Sequence, residues 1–341
     1  MKEKIKTSYD KYYKLSLVLP LCLLIISLFV IGNNVIKTGE FLPKDVSLTG
    51  GTSITFATEE SIEEVKGALS TNILDLEIRA ISDNSGKQTH LSLITSEPIE
   101  KVRPALESYL GYNLTNQNAS IESTGSSLSA DFFKQLVVAM LIAFFWMAAV
   151  VFVIFSKGWK IKFLVILLNF LFGIFLGKFF FTLPAYISYS IFALFAGSLI
   201  YTYIKNSIPS FAVMFCAFAD IIMTLAVVDL IGMKLSAAGI VAFLMLIGYS
   251  VDTDILLTTR VLKRKSTSIN HEMYGAFKTG ITMTLTAISA VAIALIFVYP
   301  FETSLNQIFI ILLIGLFFDV INTWVTNTAL IKWFVEAQEE R

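Results

Sequence analysis

The chain has 341 residues, 55% hydrophobic, 13% aromatic and only 15% charged, with 26 basic and 26 acidic side chains and no net charge. A neutral chain offers no bulk field to attract a nucleic acid, and none is expected as a partner. Several uninterrupted apolar runs reach the roughly 20 helical residues needed to cross a hydrocarbon core of about 30 Å, which excludes an ordinary soluble globule and makes this a polytopic α-helical membrane protein.

In chain order, a basic start (Lys2, Lys4, Lys6, Lys11, Lys14) precedes LSLVLPLCLLIISLFVIG, Leu15 to Gly32. This run is long and lacks a small-residue cleavage site, so it reads as a retained first span kinked at Pro20, within an N-terminal unit 1–39. Residues 40–134 are polar. TSITFAT (Thr52 to Thr58) alternates as a strand does, and EESIEEVKGALSTN (Glu59 to Asn72) reads as an amphipathic helix. DLEIRAIS (Asp75 to Ser82), the turn DNSG (Asp83 to Gly86) and THLSLITS (Thr89 to Ser96) read as a hairpin. EPIEKVRPALESYLG (Glu97 to Gly111) opens near a proline and stops at a glycine, as helices do. A last strand near Ala119 to Ser123 completes βαββαβ, the ferredoxin-like order of an α+β domain. Two sequons, at Asn113 and Asn118, fall in this unit, although such triplets often arise by chance.

Seven further spans are expected near 136–155, 163–182, 184–204, 209–231, 236–257, 279–299 and 305–328. The second occupies a segment 135–156, and a tail follows at 332–341. Basic residues gather at SKGWKIK (Ser156 to Lys162), Lys205 and RVLKRK (Arg260 to Lys265), against only Lys37, Lys44, Lys178 and Lys234 on the other side of the membrane outside the polar unit. By the positive-inside rule both termini are then cytoplasmic and the polar domain is extracellular. RVLKRK reads as an anchor against anionic membrane lipids.

Four acids lie well inside spans: Asp220, Asp252, Asp254 and Asp319. Each costs at least about 2.5–3.5 kcal/mol at a span centre, so partners, water or protons must compensate. Burial disfavours the charged form, which makes the four candidates for proton binding. A purely structural reading, each acid hydrogen-bonded at a helix contact, stays open. Asp252 and Asp254 are two residues apart and point to nearly opposite sides of their helix. Ser250, Asp254 and Thr258 form one polar stripe; Gly248, Asp252 and Thr259 form the other, with Arg260 at the cytoplasmic end. Matching stripes run along Thr279, Thr282, Thr286 and Ser289, and along Asp319, Asn322, Thr323 and Thr326, while Thr224 follows Asp220 by one turn. Hydroxyls also glue membrane helices together, but beside several acids they are expected to line a wet, proton-conducting interface. Asp229, near the end of its span, reads as a solvated or capping acid.

The two cysteines, Cys22 and Cys216, lie in apolar runs without metal-like spacing, and His90 and His271 fall outside the spans. No nucleophile-plus-base pair or phosphate-binding glycine loop is present in the sequence. No enzyme activity, metal or cofactor is expected.

GYSVDTDILLTTRVLK (Gly248 to Lys263) and PSFAVMFCAFADI (Pro209 to Ile221) resemble the SecF family of protein-export membrane proteins in its archaeal form, within the RND superfamily. LTGGTSITF (Leu48 to Phe56), TGITMTLTAISA (Thr279 to Ala290) and LLIGLFFDVINTWVTNTALIKWFVE (Leu312 to Glu336) agree, in the expected order. The resemblance implies an RND-like helical bundle with a ferredoxin-like exterior domain after the first span. It implies a SecD partner in a heterodimer, association with the Sec translocon channel, and coupling of ion flow, usually of protons, to movement of a translocating preprotein. Asp252 and Asp254 match the acidic motif of the family's fourth span, and Asp220 and Asp319 match archaeal acids. Bacterial relatives have Asn-Asp-Thr where this chain has Asp252-Thr253-Asp254, so the acid is shifted. Gly50 and Gly51 match a double glycine at the entry to the exterior domain, a structural role by default that is expected of Gly248 as well. The family core is expected at 207–331, and the hairpin 157–206 adds two spans without family counterpart, expected to pack peripherally, with Lys178 snorkelling. Two other readings remain: a free-standing RND-like transporter of lipid or small solute, and a translocon scaffold that moves no ions.

Overall fold

The computed structural model describes residues 12–39, 41, 43–82, 87–115, 117–263, 268–299 and 304–340. The basic residues up to Lys11, the turn Asp83 to Gly86, and Arg264 and Lys265 of the basic cluster lie outside these. Helix α1 (Val18–Thr38) follows a break at Leu17 and ends on left-handed Gly39. Residues 12–16 are helical as well, so the span Tyr12–Thr38 is interrupted at Leu17, three residues before Pro20, whose missing N–H leaves the Ser16 carbonyl without its helical partner.

A short helix α2 (Val46–Thr49) leads into β1 (Gly51–Ala57), α3 (Ile62–Leu69), β2 (Glu77–Ser82), β3 (Gln88–Thr95), α4 (Ile99–Leu110) and β4 (Ala119–Thr124). Gly50 and Gly51 turn the chain into β1 with φ of 81° and 142°, values that exclude ordinary side chains. Ser61 and Glu64 cap α3 reciprocally, and α4 runs from Pro98 to left-handed Gly111. The sheet is antiparallel in the order β2-β3-β1-β4. Alternate residues Ile54, Phe56, Leu91 and Leu93 point to one face and are sealed by Val65 and Leu69 of α3 and Val102 and Leu106 of α4.

Among the described residues, eight helices are long and apolar enough to cross a membrane. After α1 they are α5 (Ser126–Phe155), α6 (Trp159–Ile174, continued by a π turn Phe175–Phe179), α7 (Ala185–Asn206), α8 (Ile208–Leu230), α9 (Ala237–Leu262), α10 (Ile269–Val298) and α11 (Ser304–Ile321). The last span passes through a π-helical segment, Asn322–Asn327, into α12 (Thr328–Glu339). Helix α8 is buried along most of its length and forms the axis of the bundle; α1, α5, α9 and α11 surround it. Gly315 of α11 admits Leu246 of α9, whose δ-carbons would lie 2.5 Å from any β-carbon there. Gly280 of α10 likewise admits the Trp324 ring. The α6–α7 hairpin joins the outside of α5 through Phe145, Phe152, Phe172 and Tyr203 and leaves long apolar faces exposed, as a peripheral hairpin does.

The α/β unit is fastened to the bundle at the α8–α9 turn. Leu235 donates to the carbonyl of Pro43 (2.7 Å) and accepts from the N–H of Asp45 (2.8 Å). Gln307 of α11 donates to the Lys234 carbonyl at 2.6 Å and accepts from the Ser236 N–H that opens α9. Lys234 Nζ lies 2.7 Å from Glu77 Oε2 on β2, beside a cavity of about 510 Å³. Burial opposes ionisation of Glu77, but hydrogen bonds from Lys234 and Arg79 outweigh it and hold the carboxyl below its ordinary 4.5. A depressed native value stabilises above the unfolded one, and the contribution is lost as pH falls through the native value. Glu77→Gln is therefore expected to flatten the fall of Tm between about pH 5 and pH 3 in purified protein.

Candidate functional site

Three of the four acids converge. Asp220 on α8, Asp254 on α9 and Asp319 on α11 are each at most 1% exposed. Ser250 Oγ donates to Asp220 Oδ2 at 2.6 Å, and Asn322 Nδ2 donates to Asp220 Oδ1 at 2.6 Å. Thr323 Oγ1 donates to Asp319 Oδ1 at 3.1 Å, and Thr253 Oγ1 reaches Asp319 Oδ2 at 3.5 Å. Asn327 Nδ2 donates to Asp254 Oδ1 at 2.8 Å and lies 3.5 Å from Thr258 Oγ1. Thr326 donates to Asn322 Oδ1 at 3.3 Å and steadies that amide. Cys216 lends a weak S–H donor to the Asn322 carbonyl at 3.6 Å.

The helix geometry explains this convergence. Ser250 and Asp254 are four residues apart and share the inner face of α9. Asn322 and Asn327, five apart, would diverge by about 140° in an uninterrupted α-helix. The π segment closes its turns from i to i+5, as in the Thr328 N–H to Thr323 carbonyl bond, and brings both amides to the same side. All the donors to the three carboxyls are neutral hydroxyls and amides. Like charges side by side disfavour joint ionisation, and the chemistry open to such a cluster is uptake and release of a cation, the proton included.

Other sequence candidates fall elsewhere. Asp252 is exposed on the outer face of α9 with Met245 and Tyr249, opposite Asp254, as their spacing requires. Thr282 and Thr286, with Thr279 and Ser289, lie on the exposed side of α10 and do not join the acids. Each donates to the carbonyl four residues back, at 2.8–3.2 Å, so its own helix satisfies it. This stripe therefore does not join the acid cluster within this chain. Arg260 lies in the last turn of α9 over Gly275 of α10. Gly248 has ordinary helical backbone and open space where a β-carbon would sit, so the expected structural need for glycine is not met within this chain. Asp229 accepts from Asn34 Nδ2 at 2.6 Å and ties α8 to α1.

Two functional-site residues escape the sequence stripes. Asn327 is invisible to a strict 3.6-residue period because the π segment supplies its register. Thr253 lies between the two α9 stripes and faces Gly280 of α10. The run of polar residues Asn322, Thr323, Thr326, Asn327 and Thr328 is too wide for one α-helical stripe, and that width is the available signal.

The family model "Protein export membrane protein SecD/SecF, C-terminal" matches residues 177–337. SecF of Methanocaldococcus jannaschii is 33% identical over 329 residues, covering 95% of this chain and 96% of that one. SecF of Pyrococcus furiosus is 28% identical over 341 residues, covering 99% and 97%. The crystal structure of SecDF from Thermus thermophilus, a translocon-associated membrane protein, superimposes with a TM-score of 0.59 at 14% identity. The match covers 96% of this chain but spans only 38% of that one, and it shows a shared fold.

Removing a donor from a buried carboxyl leaves an acceptor that water cannot reach. Asn322→Ala is expected to lower stability by ~1–3 kcal/mol, read as a lower unfolding midpoint of the detergent-solubilised protein.

Proposed function

The chain belongs to the SecF family of protein-export membrane proteins, and from that premise we propose that it is the SecF subunit of a SecD–SecF pair. The pair draws on a transmembrane ion gradient, carried by protons, to promote preprotein movement through the Sec translocon channel. The observation that carries this reading is the split on α9. Asp254 is sealed among Asp220, Asp319 and Asn327, while Asp252 faces outward from the same helix. The inner acid is suited to binding the ion, and the outer one to meeting SecD.

The outer face supports a protein neighbour. A carboxyl turned to hydrocarbon costs at least about 2.5–3.5 kcal/mol, and Asp252 has that cost removed when SecD covers it. Helix α10, which packs directly on α9, also exposes threonines. The βαββαβ order with sheet order β2-β3-β1-β4 supports a ferredoxin-like domain. In this reading it stands outside the cell, both termini are cytoplasmic, and no enzymatic step or cofactor is involved. The exposed aromatic faces of the α6–α7 hairpin suit contact with membrane lipid.

The test is ion flux and gradient-stimulated export in vesicles that contain the SecD–SecF pair. Asp254→Asn is expected to abolish both, and Asp252→Asn to reduce recovery of SecD with this chain. Unchanged flux and export in both single variants and in the double variant would sink the relay and leave the scaffold reading.

A further inference from the structure

Asp220 accepts a short side-chain bond at each carboxyl oxygen, and Asp319 accepts from Thr323 at Oδ1 with Thr253 Oγ1, which also donates to the Ser250 carbonyl at 3.0 Å, lying 3.5 Å from Oδ2; Asp254 is bound at one oxygen. Its Oδ1 accepts from Asn327, and its Oδ2 has no protein partner although fully buried. The Asn327 amide is equally half-used: Nδ2 donates, and Oδ1 has no partner. Asn322 differs, because its amide donates to Asp220 and accepts from Thr326, which fixes its orientation. A buried amide oxygen without a partner costs stability unless a second state engages it.

We propose that Asn327 is a positioning residue that serves both protonation states of Asp254. With the carboxylate, Nδ2–H donates to Oδ1. When Asp254 takes a proton from the aqueous phase, its new O–H donates to Asn327 Oδ1 after the amide turns over about its Cβ–Cγ bond. The turn gives up the Nδ2–H bond to Oδ1 and the long Nδ2 contacts with the Asp254 carbonyl (3.4 Å) and Thr258 Oγ1 (3.5 Å) for one O–H···O bond, and the added proton stays on Asp254. The π segment holds the amide within reach, since five residues of regular α-helix after Asn322 would turn it away. The proposal rests on the assignment of Asp254 to the ion pathway.

Titratable groups approach Asp254 from several sides. Asp220 and Cys216 lie on α8 and Asp319 on α11, with Asp252 and Arg260 on α9 itself. Helix α5 contributes non-titrating Val151 to the cluster around Val251, and α10 approaches through Gly275 and Gly280. The titratable side chains near the start of α10 are His271, Glu272, Tyr274 and Lys278. Helix α12 brings Lys332, which is bound to Asn270 and lies over the Tyr13 ring.

The experiment is infrared difference spectroscopy, acid minus neutral, on the full chain with SecD in lipid nanodiscs. A carboxylic C=O band lost in Asp254→Asn is expected, accompanied by an amide C=O band that shifts on asparagine isotope labelling and vanishes in the same variant. In Asn327→Ala the carboxylic band is expected at higher wavenumber, because its O–H has lost the amide acceptor, and Asn327→Gln is expected to restore it. A carboxylic band without any asparagine partner in the unmodified protein overturns this role, whether or not Asn327→Ala folds. So does a band that stays in place in Asn327→Ala. Absence of any Asp254 band overturns the ion-pathway reading itself, and this inference with it.

Discussion

The membrane half of this protein is organised around one electrostatic constraint: three carboxyls share a buried site whose donors are all neutral. Hydrocarbon offers them nothing, so helices must close on every side. Helix α8 supplies the axis, α9 and the last span supply the donors, and the small residues Gly280 and Gly315 let these helices approach closely enough. The cost of the acids explains why polar side chains crowd the last span, and why its regular helix is interrupted beside them.

That interruption is a geometric solution. Three donors of the last span must reach three acids on three helices, and a single α-helical stripe is too narrow. One wider turn at Asn322–Asn327 broadens the polar face without breaking the span; the Thr323 carbonyl accepts from both the N–H and the hydroxyl of Thr328, and the Asn322 carbonyl from the Cys216 thiol. The expense falls on Thr224 and Asn327, which keep buried oxygens without protein partners.

Much of the fold is legible in the sequence because it rests on simple periods. Alternation picks out β1 and β3, the glycines and prolines mark both ends of α4, and apolar run length reveals each span. The opposite directions of Asp252 and Asp254 follow from two steps of a helix and need no neighbour. What period alone misses depends on partners. The α10 hydroxyls look like site residues until each is seen to bond its own helix carbonyl. Asn327 looks like the wrong face until the π segment is known. Gly248 has open surroundings that its place in the motif does not foretell.

The seam at Leu235 gives α9 a mechanical character. Its first turn is held through Ser236 and Gln307, and Leu235 just before it is bonded to the segment Pro43 to Asp45 that leads into the α/β unit. Asp254 lies about 25 Å along the same helix at 1.5 Å per residue. Over that arm, a tilt of ~5° pivoting near the acids displaces the fastened end by about 2 Å. A displacement of that size is comparable to a hydrogen-bond length, so a small rotation of a stiff α9 is enough to make or break the contacts at Leu235.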